Sequence, residues 1–238
     1  MSITAVPKAK RNRLPLKNAS PETRCEGCQL RHVLCVCGVI PKLKISTQLI
    51  VLMHMRETNL TTNTAKLARI ALEGSEIRIR GVRGKPMNDE GLVTPDRQSL
   101  YLFPSPEALT LTPELIASYG KPITLIVPDG SWRQAKKVAK REPALASIPH
   151  VKLPPGALST YRLRREPNAE SVSTFEAIAR ALGVLEGTEV QEKLEYLFDV
   201  MVERLLWSRG VLPKEECRYP IPQAAIDAFY IAGCRGSE

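Results

Sequence analysis

Apolar residues fall into two rhythms that alternate along this chain. The run "QLIVLMH" at 48–54 is continuous, as expected of a short strand covered on both faces. "TNTAKLARIALEG" at 62–74 switches to helical spacing, with Leu67, Ile70 and Ala71 directed inward and Gly74 as the stop. Strand signals return in "SEIRIRG" and in "SLYLFPS" at 99–105. "SPEALTLTPELIASYG" then offers two helical pieces, each begun by a proline, which a first helical turn tolerates. "ITLIVP" at 123–128 is the most strand-like segment, and a basic helix over 132–142, ended by Pro143, is predicted after it. Beyond a Pro- and Arg-rich loop, "SVSTFEAIARALG" predicts a helix opened by a capping box of Ser173 and Glu176. Its apolar positions Phe175, Ile178, Ala179 and Leu182 keep helical spacing. "TEVQEKLEYLFDVMVERLLWSRG" repeats the pattern, with Thr188 and Gln191 as its capping pair. Buried strands alternating with helices predict an α/β domain around a mainly parallel sheet with flanking helices.

A chain of 238 residues has room for one large domain and a small appendage. The expected division is a flexible basic arm at 1–24, a cysteine module at 25–44 and the main domain at 45–238. Net charge changes the picture. It is +9, and Lys8, Lys10, Arg11, Arg13 and Lys17 lie in an opening stretch that contains no acid. Such a surface favours a polyanion, and nucleic acid is the expected partner, a basic face kept only for solubility being the alternative. No apolar run approaches the roughly 18 residues of a membrane span, and no hydrophobic signal segment opens the chain. The expected compartment is the cytoplasm, with no membrane partner.

Cys25, Cys28, Cys35 and Cys37 form a Cys-x2-Cys-x6-Cys-x-Cys cluster, too crowded for a disulfide framework. Four thiolates at this spacing can close a tetrahedral site, for which zinc is the natural ion. Iron–sulfur ligation and unliganded thiols are the alternatives. Cys217 and Cys234 stand alone.

A second constellation begins where "ITLIVP" ends. Ligands of parallel α/β sheets bind beyond the carboxyl ends of strands, and Asp129 sits there. Ser131 is placed to cap the next helix. Trp132, Ala135 and Ala139 share one side of it, while Arg133, Lys136, Lys137 and Lys140 share another that suits a phosphate backbone. His54, Arg56, Glu57, Asn63 and Thr64 follow another buried strand in a polar loop able to hold a small ligand. Tyr161 with Arg162, Arg164 and Arg165 sets an aromatic beside cations, a combination suited to bases and phosphates. On residues alone, a capping Asp and a solvated basic stripe remain open readings. Dinucleotide, P-loop, zinc-protease and serine-hydrolase motifs are absent.

"DGSW" at 129–132 resembles the D-x-T/S-W signature of the DTW-domain proteins. "TNTAKLA", "STFEAIARAL" and the leading cysteine pattern are similar to that family's other landmarks, in the same order, over about residues 24–210. The one departure, Ser131 for Thr, keeps the hydroxyl. The resemblance implies a SPOUT-like knotted α/β fold. It also implies transfer of the 3-amino-3-carboxypropyl group of S-adenosylmethionine to N3 of a tRNA uridine, the variable-loop uridine at position 47 in bacterial members. It makes Asp129 the expected base or N3-orienting group, with Ser131 and Trp132 beside it. Motif position and fold analogy nominate Asn63, Thr64, Phe103, Pro104, Val127, Pro128, Leu153, Pro154, Ser173 and Thr174 for the cofactor pocket. Arg162 or Arg164 is expected to hold the cofactor carboxylate or a tRNA phosphate, and the module and arm to grip the tRNA. The rival readings are a methyltransferase of the same fold, a radical transferase built on an iron–sulfur cluster, and a non-catalytic zinc-containing RNA-binding protein. A monomer is expected, with a homodimer as the alternative.

Overall fold

A computed structural model describes residues 24–163 and 171–234, with only the backbone at 229–234. The basic arm and Arg164 therefore lie outside the described residues, apart from Arg24. Six strands form one sheet: β1 (Gln48–His54), β2 (Glu76–Arg80), β3 (Gln98–Leu102), β4 (Leu109–Thr110), β5 (Ile123–Asp129) and β6 (His150–Lys152). Their order is β2-β1-β5-β3-β6-β4, and every neighbouring pair is parallel.

The continuous apolar runs follow from what covers the two faces. Alternate residues of a strand point to opposite sides. Leu49, Val51 and Met53 of β1 join Leu125 and Val127 of β5 in one core cluster, while Ile50, Leu52 and Ile126 join a second on the other face. The first face lies under α1 (Lys66–Ala71), α5 (Thr174–Glu186) and α6 (Thr188–Ser208), which supply Leu67, Phe175, Ile178, Leu197 and Phe198. The second is covered by Leu92, Val138, Leu145 and Ile148. With both faces covered, no position of β5 needs a polar residue, and all seven are buried. Leu30, Leu34 and Val36 of the cysteine module sink into the first cluster, so module and sheet share one core.

Several elements differ from the sequence reading. The helix expected over 62–74 is regular only over α1, after a series of turns. Of the two Pro-started pieces, the first is a turn followed by β4, because Leu109 and Thr110 find strand partners in β6. The second is α2 (Pro113–Tyr119), capped by the Thr112 hydroxyl and stopped at Gly120 in the left-handed region, φ 61°. The basic helix over 132–142 divides into α3 (Trp132–Ala135) and α4 (Val138–Arg141). Between them the Lys137 amide donates to Gln134 O at 3.0 Å, a tighter turn than an α-helix makes. Thr188 caps nothing: Gly187 precedes α6 with φ 104°, and the Gln191 side chain instead donates to Glu195 at 2.9 Å. A last helix, α7, spans Gln223–Cys234.

Candidate active site

The carboxyl ends of β5, β3, β6 and β4, with the Thr62–Thr64 segment that follows β1, line one cavity of about 1060 Å³, at the upper end of the range for small-molecule sites. Asp129 ends β5 on its wall and is 5% exposed. Each following residue has a local reason. Gly130 adopts φ 151°, and a Cβ there would come within 3.0 Å of Gln134 Oε1 and 3.5 Å of His54 Cβ. Ser131 starts α3 through a capping box: its hydroxyl accepts from the Gln134 amide, and its own amide donates to Gln134 Oε1 at 2.8 Å. That hydroxyl is thus engaged in holding the turn rather than directed at Asp129. Trp132 packs at 6.0 Å, centroid to centroid, on Phe103 from the end of β3, so the two rings form an aromatic wall.

Buried carboxylates need partners, and Asp129 has dedicated ones. Asn63 Nδ2 donates to Oδ2 at 2.6 Å and Thr174 Oγ1 donates to Oδ1 at 2.7 Å. Two motifs distant in sequence thereby clamp one carboxyl group from either side. Asn63 is itself fixed, its Oδ1 accepting from the Lys66 amide at 3.3 Å. Its Nδ2 also lies 3.5 Å from Glu57 Oε2, a second carboxylate that is buried. The Lys66 ammonium donates to Thr58 O; burial lowers its pKa, Arg24 lowers it further, and Asp129 and Glu57 oppose the shift. His54, at the end of β1, accepts from the Arg56 amide through Nδ1 at 3.1 Å. Burial, with Arg80 and Arg56 nearby, holds its pKa below the ordinary histidine value.

The opposite wall is a loop, and Glu176 secures it. Besides completing the capping box on α5, this buried carboxylate accepts from the Ser159 hydroxyl at 2.7 Å and the Thr160 amide at 3.0 Å. The Tyr161 hydroxyl donates to Thr62 O at 2.8 Å, tying the same loop to the segment that carries Asn63.

All ten residues nominated for the cofactor line this cavity: Asn63, Thr64, Phe103, Pro104, Val127, Pro128, Leu153, Pro154, Ser173 and Thr174. Arg133 reaches its rim, whereas Lys136, Lys137 and Lys140 lie off it on the exposed side of the α3–α4 segment. Arg162 is exposed and off the wall. Sequence reading missed Lys152 and Arg180, which do line it. A signal existed for the second: Thr174, Ala177 and Arg180 recur at three-residue intervals, one face of a helix. It also read Glu176 only as a cap.

In the module, the four cysteine Sγ atoms lie within 4.8 Å of one another. Cys25 stands 3.4 Å from Cys37 and 3.5 Å from Cys35, and Cys28 is 3.7 Å from Cys35. A tetrahedron with metal–sulfur bonds of about 2.3 Å has edges of roughly 3.8 Å, so the all-thiol cage fits an ion such as zinc. Gly27 leaves space for it, since a Cβ there would meet Cys37 Sγ at 3.0 Å. The Cys28 amide is the chief cause drawing the Cys25 thiol down to about 6, while burial pushes Cys28 and Cys37 up. Arg204 of α6 donates to Cys35 O and fastens the module to the main body.

No helix among the described residues is long and apolar enough to cross a membrane. A DTW domain model matches residues 22–206. The tRNA-uridine aminocarboxypropyltransferase 2 of Macaca fascicularis is 32% identical over 187 residues, 76% of this chain and 63% of that protein. The Drosophila melanogaster protein of the same name is 32% identical over 178 residues, 71% of this chain and 70% of its own. The tRNA-uridine aminocarboxypropyltransferase A of Arabidopsis thaliana is 29% identical over 208 residues, 75% of this chain and 79% of its own. With most of its length inside the match, the chain belongs to the DTW domain family.

Proposed function

We propose that this protein transfers the 3-amino-3-carboxypropyl group of S-adenosylmethionine to N3 of a tRNA uridine, the variable-loop uridine at position 47. The observation that carries the reading is the clamped carboxyl group of Asp129 on the wall of a cavity large enough for a nucleoside and a base. The names of the relatives support the same chemistry. S-adenosylmethionine supplies a γ-carbon made electrophilic by its sulfonium, with 5′-methylthioadenosine as the leaving group. What remains for the chain is to orient the two reactants and to deal with the N3 proton.

Asp129 takes that task. Its two oxygens are fixed by Asn63 and Thr174, which leaves lone pairs directed by the protein rather than by solvent. A uridine N3–H facing it donates to the carboxylate, and the proton passes to the acid as N3 attacks. Phe103 and Trp132 offer flat apolar surface to an adenine or uracil ring. The walls formed by Val127, Pro128, Leu153 and Pro154 exclude water from the reacting carbon. Arg133, Lys136, Lys137 and Lys140 supply phosphate contacts that set register without reading sequence. The cysteine cage holds zinc as a structural ion, since all four ligand positions are protein thiols. A SPOUT-like knot around the end of β5 would account for nucleotide binding without a glycine-rich loop.

Unmodified tRNA incubated with the protein and S-adenosylmethionine, then analysed by mass spectrometry, tests the proposal. An added aminocarboxypropyl mass on one uridine supports it. An added methyl mass, or no change with active protein, contradicts it.

A further inference from the structure

Among the described residues, three cations line the cavity and one carboxylate does. Arg133 belongs to the rim, but Lys152 and Arg180 belong to the wall away from Asp129. Lys152 ends β6, two strands from β5 across the sheet, so their ends lie about 10 Å apart at the usual strand spacing. Arg180 sits six residues beyond Thr174 on α5, about 9 Å along the helix axis. Thr174 is the residue whose hydroxyl holds Asp129. Two independent elements thus place a cationic residue at nearly the same backbone separation from the acid.

Neither cation is paired with a carboxylate of the cavity wall among the described residues, Arg180 having only a long ion pair outside it. Arg180 Nη1 donates to Ala157 O at 2.7 Å, and its Nε lies 3.8 Å from Glu195 Oε1. That glutamate is part-exposed and already accepts from Gln191. Among the described residues the Lys152 ammonium has no hydrogen-bond or ion-pair partner, and Arg180 has none besides Ala157 O and Glu195. Arg180 also lies against the segment that runs on from Lys152, with Nη1 3.9 Å from where a Gly156 Cβ would be.

We infer that Arg180 and Lys152 seat the α-carboxylate of the donor's amino-acid arm, and so decide which substituent of the sulfonium faces Asp129. This rests on the function proposed above. A hydrogen bond from N3–H to Asp129, a near-attack approach of N3 to the γ-carbon and three carbon–carbon bonds together span roughly 10 Å, comparable to the backbone separation of these residues from Asp129. A carboxylate anchored at that distance holds the arm extended, with its γ-carbon toward the acid. Guanidinium is suited to the task because it grips a carboxylate through two parallel bonds. Arg162, the earlier candidate, is exposed and off the cavity wall.

Calorimetric titration with S-adenosylhomocysteine and with 5′-methylthioadenosine tests the assignment without relying on turnover. The two ligands share the adenosine and the thioether, and only the first carries the carboxylate. Arg180→Gln is expected to weaken S-adenosylhomocysteine roughly tenfold to a hundredfold while 5′-methylthioadenosine stays within about twofold. Arg180→Lys recovers part of the loss, and Lys152→Met shows a smaller selective loss of the same sign. Retained 5′-methylthioadenosine binding certifies the folded pocket. Unchanged S-adenosylhomocysteine affinity in both variants, or equal losses of both ligands in both, overturns the inference. If the unaltered protein binds neither nucleoside, the proposed function itself falls, a different outcome from loss of selectivity.

Discussion

The protein gathers reactive side chains twice, in opposite ways. The cysteine cage collects four thiols from a single short stretch, so its geometry follows from local turns and from Gly27. The Asp129 site collects Asn63, Asp129 and Thr174 from three motifs that only the sheet order and the docking of α5 bring together. A cage of the first kind is as good as its spacing, and a metal held there would fasten the module. A site of the second kind is as good as the whole core beneath it, because a shift of α5 against β5 would loosen the carboxylate. The shared core and the Arg204 link make the cage a support for the sheet domain rather than a separate bead.

Substitutions separate the two regions. The largest effect is expected for Asp129→Asn, which should cut aminocarboxypropyl transfer by about a hundredfold or more, the lower range for loss of a general base. Single-turnover assays measure the loss, and filter binding should show tRNA affinity nearly unchanged. Metal content and melting temperature should also stay close to those of the unaltered protein, since all four cage thiols come from one short stretch that does not include Asp129. Cys28→Ala should do the reverse to stability. It removes a buried ligand, and loss of the metal is expected to lower the melting temperature by roughly 10 °C or more. Thermal unfolding with metal analysis measures this, and a strong chelator should reproduce it.

Thr174→Val keeps the shape but removes a donor from a buried carboxylate, at a cost of about 1–3 kcal/mol in stability. The same change should slow transfer more than it weakens S-adenosylhomocysteine binding, and paired kinetics and titration decide it. Smallest per residue is the charge effect: Lys136→Ala with Lys137→Ala should reduce the slope of log affinity against log salt by roughly 2 if both contact phosphate. An unchanged slope would move the tRNA path away from the α3–α4 segment.

How much of this could be read in advance follows from the same contrast. The cage was fully legible, since Cys25, Cys28, Cys35 and Cys37 are adjacent in both chain and space. So were β1 and β5, whose apolar runs have no competing pattern, and the Ser173–Glu176 cap. β6 was not, because three residues carry no periodicity and the strand exists only through its neighbours β3 and β4. The break between α3 and α4 was hidden too, because neither proline nor glycine marks the turn at Lys136 and Lys137, and Ala135 and Val138 would share a face in an unbroken helix as well. At the site, motif order named the residues around Asp129, yet Lys152 and Arg180 escaped. Their relevance depends on the lateral position of β6 and on which face α5 turns to the cavity. Glu176 illustrates the limit best, being legible as a cap and illegible as the anchor of a loop folded back from Ser159.

The central claim is that the donor's long arm, not its methyl, meets the nucleophile at Asp129. A crystal structure with S-adenosylmethionine bound tests it most directly. The γ-carbon is expected on the Asp129 side of the cavity and the α-carboxylate against Arg180 and Lys152. A methyl group turned toward Asp129, with the amino-acid arm directed elsewhere, would contradict it.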